Sequence, residues 1–159
     1  MSVKAGKEIV AALNEILEGE LAAINQYFLH AKMLQNWGYD RLYKKVWDES
    51  IDEMKHADVL IERILYLDGI PNVQKIGRVR IGETVEEMFQ ADIALEEQAI
   101  PRLQRHIKLC REHDDEGTRA LLSEILRSEE DHLDWLETQQ ELIKQVGLQG
   151  YLAEQIHGA

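Results

Sequence analysis

Apolar residues recur every three or four positions along most of this chain, in four long stretches separated by short polar breaks. Leu13, Leu17, Leu21, Ile24, Phe28 and Ala31 mark the first stretch, and their spacing predicts a helix over about 7–37. Gly38 can take the left-handed conformation that ends a helix, and Asp40 can cap a second one over about 41–67. Thr84 with Glu87 three positions on is a capping-box signature, which opens a third helix over about 84–113. A polar link follows, then a fourth helix over about 118–146, which Gly147 stops, and a short terminal helix over 148–156.

Between the second and third helices the periodicity lapses over 68–83, a segment holding Gly69, Pro71, Gly77 and Gly82. That is too long for a tight turn and suits a crossover running from one end of a bundle to the other. Short links make each pair of flanking helices an antiparallel hairpin. The expected fold is therefore all-α: a four-helix bundle of ferritin-like connectivity with one long crossover and a short C-terminal helix, in a single domain over 1–159. Helices longer than three or four turns need tertiary or quaternary packing to support them.

Composition narrows the classes. A hydrophobic fraction of 45% is that of a globular chain, and the formal charge of −12 repels nucleic acid and anionic lipid while attracting cations. No apolar run approaches the roughly 20 residues of a membrane span, and residues 1–8 lack the apolar stretch of a secretory signal. A cytoplasmic protein without nucleic-acid or membrane partners is expected. Cys110 is the only cysteine, so it has no disulfide partner within the chain and reads as a small packing residue.

The apolar stripes carry acids. Glu53 with His56, and Glu129 with His132, are two Glu-x-x-His pairs whose i, i+3 spacing puts both side chains on the core face of a helix. Glu20 lies among Leu13, Ile16, Leu17, Ile24 and Tyr27, and Glu96 among Phe89, Ile93, Ile100 and Leu103. Adding 76 to positions 20, 53 and 56 gives 96, 129 and 132, so the same three groups recur in one register. In antiparallel hairpins rising about 1.5 Å per residue, all six meet at one height. Burying a carboxylate is costly unless a proton, a cation or hydrogen bonds compensate it. Four carboxylates balance two divalent ions, and mixed oxygen and imidazole donors suit iron or manganese, with zinc also able to bind.

These stretches resemble bacterioferritin, the haem-containing branch of the ferritins. The resemblance rests on Gly19-Glu20-Leu21, the run from Ala23 to Ala31, the run from Glu49 to Asp58, and Glu62-Arg63-Ile64-Leu65. Pro71-Asn72, Ile81-Gly82-Glu83, Ala94-Leu95-Glu96, Glu129-Glu130-Asp131-His132, Asp134 to Gln139, and Gly147-Leu148-Gln149 continue it over nearly the whole chain. It implies iron storage in a hollow shell of 24 subunits built from twofold dimers, and ferroxidase activity with dioxygen or peroxide at two iron ions per subunit. Glu53 and Glu129 would bridge the irons, with Glu20 and His56 completing one site and Glu96 and His132 the other. Met54 matches the family's axial ligand to a haem b shared by two subunits, and a ferredoxin-type protein is the implied electron donor. One step from Glu53, about 100° around the helix, Met54 is expected to point off the core face.

Tyr27 lies two turns beyond Glu20 and resembles the family's tyrosine near the metals, although a core tyrosine fits equally. Asp48 and Asp52 fall near the family's inner-surface iron site, and position 48 holds Asp where some members carry His. His30, His106, His113 and His157 read as surface or packing residues. Pro101, inside the third helix, has no functional reading. The alternatives are a haem-free ferritin, a di-iron peroxide-reducing enzyme, and a metal-free interaction bundle that leaves the buried acids unexplained. A rubrerythrin-like protein, with its cysteine-rich iron site, is excluded by the single cysteine.

Overall fold

Among the described residues five helices form where the periodic stretches lie. The computed structural model describes residues 6–157, so the reading of the N-terminus rests partly on residues 1–5, outside the described part. The helices are α1 (Lys7–Asn36), α2 (Asp40–Tyr66), α3 (Val85–Glu112), α4 (Glu116–Val146) and α5 (Leu148–Ala153). The expected all-α bundle with one crossover and a short C-terminal helix is what forms. Gly38 and Gly147 take positive φ at the ends of α1 and α4, and Asp68 and Asp114 do the same just beyond α2 and α3.

Side-chain caps set the starts of α3 and α4. Thr84 accepts from the Glu87 N–H at 3.2 Å, while the Glu87 carboxylate reaches back to the Glu83 N–H at 3.1 Å. Asp40, expected as a cap, is instead the first residue of α2, behind Tyr39. There its charge faces the positive end of the helix dipole without a capping bond. Pro101 does not break α3, which runs on past it as one helix.

The crossover climbs the outside of α1. Asn14 donates to the Ile70 carbonyl and accepts from the Asn72 N–H, and Gly77 N–H donates to the Glu18 carbonyl at 3.1 Å. Further on, Arg80 N–H donates to Gln26 Oε1 and Gly82 N–H to His30 Nε2, each at 3.0 Å. Four turns of α1 thus hold a segment with no regular bonding of its own, and they deliver α3 antiparallel to α1. Gln26 Nε2 also donates to Asp92 at 2.8 Å, and His30 Nδ1 lies 3.0 Å from the same carboxylate. Because His30 Nε2 accepts, Nδ1 is the nitrogen that carries the hydrogen.

The core is two apolar clusters. One gathers Leu13, Leu17, Leu60, Ile64, Leu103 and Leu122, and the other Tyr27, Leu34, Leu42, Met88, Phe89 and Leu136. Between them lies a layer of buried acids and imidazoles. Tyr151 of α5 closes one end, packing on Phe89 and donating to Gln139 Oε1 at 2.7 Å.

Asp115 organises the other end. Its carboxylate accepts from the Thr118 N–H at 3.1 Å, the Thr118 hydroxyl at 2.6 Å and Arg63 Nη2 at 3.2 Å, tying the end of α2 to the start of α4. Partial burial pushes its carboxyl pKa up, but the Thr118 bonds and the Arg63 charge outweigh this and hold it below the ordinary value. Asp115→Ala is expected to cost about 2 kcal/mol, since it removes a cap and leaves Thr118 and Arg63 without their acceptor. Urea unfolding at fixed protein concentration measures this. The difference from wild type should close as pH falls through the depressed carboxyl pKa, because a carboxylate stabilised in the folded state gives up that stability on protonation.

Candidate metal centre

The six acids and histidines singled out above come from four different helices and meet in the layer between the two apolar clusters. Glu20 projects from α1, Glu53 and His56 from α2, Glu96 from α3, and Glu129 and His132 from α4. The four carboxylates are no more than 3% exposed, and His56, with 14% of its side chain exposed, is the least enclosed of the six. Ligand atoms of Glu20, Glu53, His56 and Glu129 lie within 4.8 Å of one another, and so do those of Glu53, Glu96, Glu129 and His132. Glu53 and Glu129 belong to both groups, so the two groups overlap at these carboxylates.

The electrostatics explain what such a layer needs. Two like charges about 4 Å apart repel by roughly 4 kcal/mol at an effective dielectric of about 20. Burial first, then the charges of Glu20 and Glu129, push the Glu53 carboxyl well above the usual range. Burial and Glu129 do the same to Glu96. Burial disfavours the charged form of His56, but the carboxylates of Glu129 and Glu20, 3.0 and 3.5 Å from Nδ1, raise it to about 10. His132 is likewise raised, with Glu96 overcoming the effect of burial. Neither imidazole neutralises the layer fully. Glu96 Oε2 is buried without a hydrogen-bond partner, and Glu20 Oε2, Glu129 Oε1 and His56 Nδ1 approach only one another without a well-aligned hydrogen bond, so four atoms able to hold a metal lie together.

The surroundings are one-sided. The Tyr27 hydroxyl donates to Glu96 Oε1, and burial with the charges of Glu96 and Asp92 raises its pKa well above the ordinary value, keeping it a donor. Tyr27 meets the His132 ring edge-on at 5.0 Å, and Trp135 stacks on that ring at 6.4 Å. Glu49 was missed by sequence reasoning. It is buried, pairs with Lys45 at 2.8 Å and lies 3.6 Å from His132 Nδ1. Its position four residues before Glu53, on the same stripe, was the available signal.

Other singled-out residues lie elsewhere. Met54 is 54% exposed on the outer face of α2, away from the cluster. Asp48 is exposed, Asp52 is partly buried, and neither joins a group of three or more possible ligands among the described residues. His30 is a buried packing residue, His106 and His113 pair with Glu15 and Glu8, and His157 is exposed. No helix among the described residues is long and apolar enough to cross a membrane.

A crossover bundle with two overlapping carboxylate–imidazole groups at mid-height is of the ferritin-like class, and residues 10–146 match the ferritin-like domain. The chain is 48% identical over 147 residues to bacterioferritin BfrA of Mycobacterium tuberculosis, covering 92% of each chain. It is 49% identical over 146 residues to the bacterioferritin of Streptomyces coelicolor, covering 92% of this chain and 87% of that one. To a bacterial ferritin of Synechocystis it is 43% identical over 155 residues, covering 97% and 99%. The chain belongs to the bacterioferritin family.

The direction of each shift sets a pH dependence for protein stripped of metal by a chelator. Glu53 and Glu96 keep their protons in the folded state above the unfolded value of 4.5, so their cost to stability grows as pH rises past it. The stability His56 contributes is complete below about 6.5 and is lost as pH rises through about 10. Both effects run the same way. The melting temperature of chelator-treated protein should fall between about pH 5 and pH 9, and Glu53→Gln should flatten that slope. Parallel curves for the two proteins in calorimetric scans contradict this account of the layer.

Proposed function

We propose that this protein stores iron and oxidises Fe2+ to Fe3+ at a di-iron centre formed by Glu20, Glu53, His56, Glu96, Glu129 and His132, within a single ferritin-like domain spanning 1–159. The observation that carries the proposal is the pair of ligand groups sharing Glu53 and Glu129, with buried oxygens that lack well-aligned hydrogen bonds. Iron is the substrate. Four carboxylates offset the charge of two Fe2+, and each imidazole binds through a neutral nitrogen, so loading releases protons and favours higher pH. Holding two irons side by side lets one encounter remove two electrons. Dioxygen takes them with two protons to give hydrogen peroxide, or peroxide takes them with two protons to give water. Tyr27 fixes the orientation of Glu96 through its hydroxyl.

The relatives named bacterioferritin support storage, and with it a homo-oligomeric shell, for which we adopt 24 subunits built from twofold dimers. Solvent-facing Ile70, Val73 and Ile76 on the crossover, with Leu65 and Tyr66 beside them, are apolar surface of the kind that copies of a subunit cover. A ferredoxin-type protein is the proposed electron donor for releasing the iron.

A haem b between twofold partners belongs to the same reading, and the residues fit it. Met54 exposes a thioether on the outer face of α2, in line with Trp47, whose ring lies 5.4 Å from that of half-exposed Phe28 on α1. A twofold axis beside this strip would bring the Met54 thioethers of two subunits together, and they would hold the haem iron between them. When bound, the haem supplies one-electron redox chemistry.

Glu96→Ala or His132→Ala should abolish rapid Fe2+ oxidation, followed by stopped-flow absorbance, while gel filtration shows the assembly unchanged. Wild-type rates in either variant reject the di-iron assignment. Met54→Leu should lose the bis-methionine haem spectrum of protein made with ample haem supply and keep ferroxidase activity. A spectrum that survives the substitution removes Met54 as the ligand.

A further inference from the structure

A narrow cleft of about 40 Å³ opens between α1 and α3, with Glu20, Glu53, Glu96 and Glu129 in its lining. The crossover passes over it, pinned where the Gly77 N–H meets the Glu18 carbonyl, and two cations line it, Arg78 from the crossover and Arg102 from α3. The volume accommodates about one water or one small ion, so whatever stands at the mouth decides what passes.

Arg102 is seated there in an unusual way. Its guanidinium rests against the backbone of α1, where a Cβ on Gly19 would lie 2.4 Å from Nη2. Glycine in mid-helix is unfavourable relative to alanine, and here its absent side chain makes the seat. The Arg102 Nε–H is buried without a hydrogen-bond partner, and among the described residues no carboxylate forms an ion pair with its guanidinium, although four line the same cleft. Two unfavourable local features thus meet at one point, and neither is offset by a bond.

We propose that Arg102, seated over Gly19, is a charge gate that slows divalent cations entering the metal centre through the cleft between α1 and α3. The inference rests on the di-iron reading of the centre and deepens it by assigning a residue that governs access without touching the metals. A positive charge lining this narrow cleft opposes the approach of a divalent ion through it at low ionic strength, and salt screens that opposition. Its function is to limit the rate at which the four carboxylates are filled, leaving the number of ions bound unchanged.

The test is Co2+ uptake by the full, assembled protein, followed by stopped-flow absorbance with no oxidant required. Arg102→Gln should take up Co2+ about three to ten times faster than wild type at low salt, with two ions bound per chain in both proteins. The gain should shrink toward unity near 0.5 M salt. Arg102→Lys, which keeps the charge, should stay within about twofold of wild type. Gly19→Ala, which favours the helix but displaces the guanidinium, supplies a second variant and should also accelerate uptake. Equal rates for Arg102→Gln and wild type with two Co2+ per chain overturn the gate and leave the centre standing. Arg102→Lys as fast as Arg102→Gln overturns the role of charge. Wild type that binds no Co2+ overturns the centre, and the gate with it.

Discussion

Four carboxylates held a few ångströms apart in a buried layer are the constraint to which the rest of this bundle answers. Left to itself, such a layer would open to water or take up protons, and the raised pKa values of Glu53 and Glu96 express that pressure. The apolar clusters on either side resist it. Leu13, Leu17, Leu60 and Leu103 below, and Leu34, Leu42, Phe89 and Leu136 above, are packed too fully for the acids to swing outward without opening a cavity. Helices of about thirty residues make sense in this light. A shorter bundle could not place enough apolar side chains on both sides of a polar layer.

Rigidity comes from what flanks the layer. The Tyr27 hydroxyl aims Glu96, Trp135 stacks on His132, and Lys45 holds Glu49 beside the same ring. The Gln26–Asp92–His30 set fastens α3 to α1 and clamps the crossover by two of its N–H groups. A segment without secondary structure would otherwise leave its buried amides unpaired. The clamp also fixes the mouth of the cleft, since Gly77 and Arg78 lie a few residues before the clamped positions.

Much of this was legible from spacing. Helical periodicity, the capping pair at Thr84 and Glu87 and the stop at Gly38 are local signals, and the repeat of 76 places the ligands at one height without knowledge of any contact. What escaped depends on which helix faces which. Asp40 has the right residue type for a cap, but the turn before it puts Tyr39 in that position. Asp92 is one acid among thirty acidic residues until α1 brings Gln26 and His30 against it. The seat of Arg102 is invisible in sequence because its cause is a missing side chain on another helix. Met54 was placed off the core face by one step of helix geometry, and its exposure agrees with that.

The repeat that relates the candidate ligands does not extend to their neighbours, and this difference gives the two ligand groups different surroundings. Seventy-six residues after Tyr27 stands Leu103, and seventy-six before Trp135 stands Val59, so one imidazole has aromatic company that the other lacks. The counterpart of Arg102 is Gln26, which is bound to Asp92 and the crossover instead of standing at a mouth. The counterpart of Gly19 is Leu95, whose side chain leaves no equivalent seat. His132 is correspondingly more enclosed than His56. One half of the centre is therefore braced by hydrogen bonds and rings, while the other is more open and lies beside the arginine. Two ions in identical ligand sets would still be unequal in access and in how firmly their ligands are held, and it is the surroundings, not the ligands, that make them so.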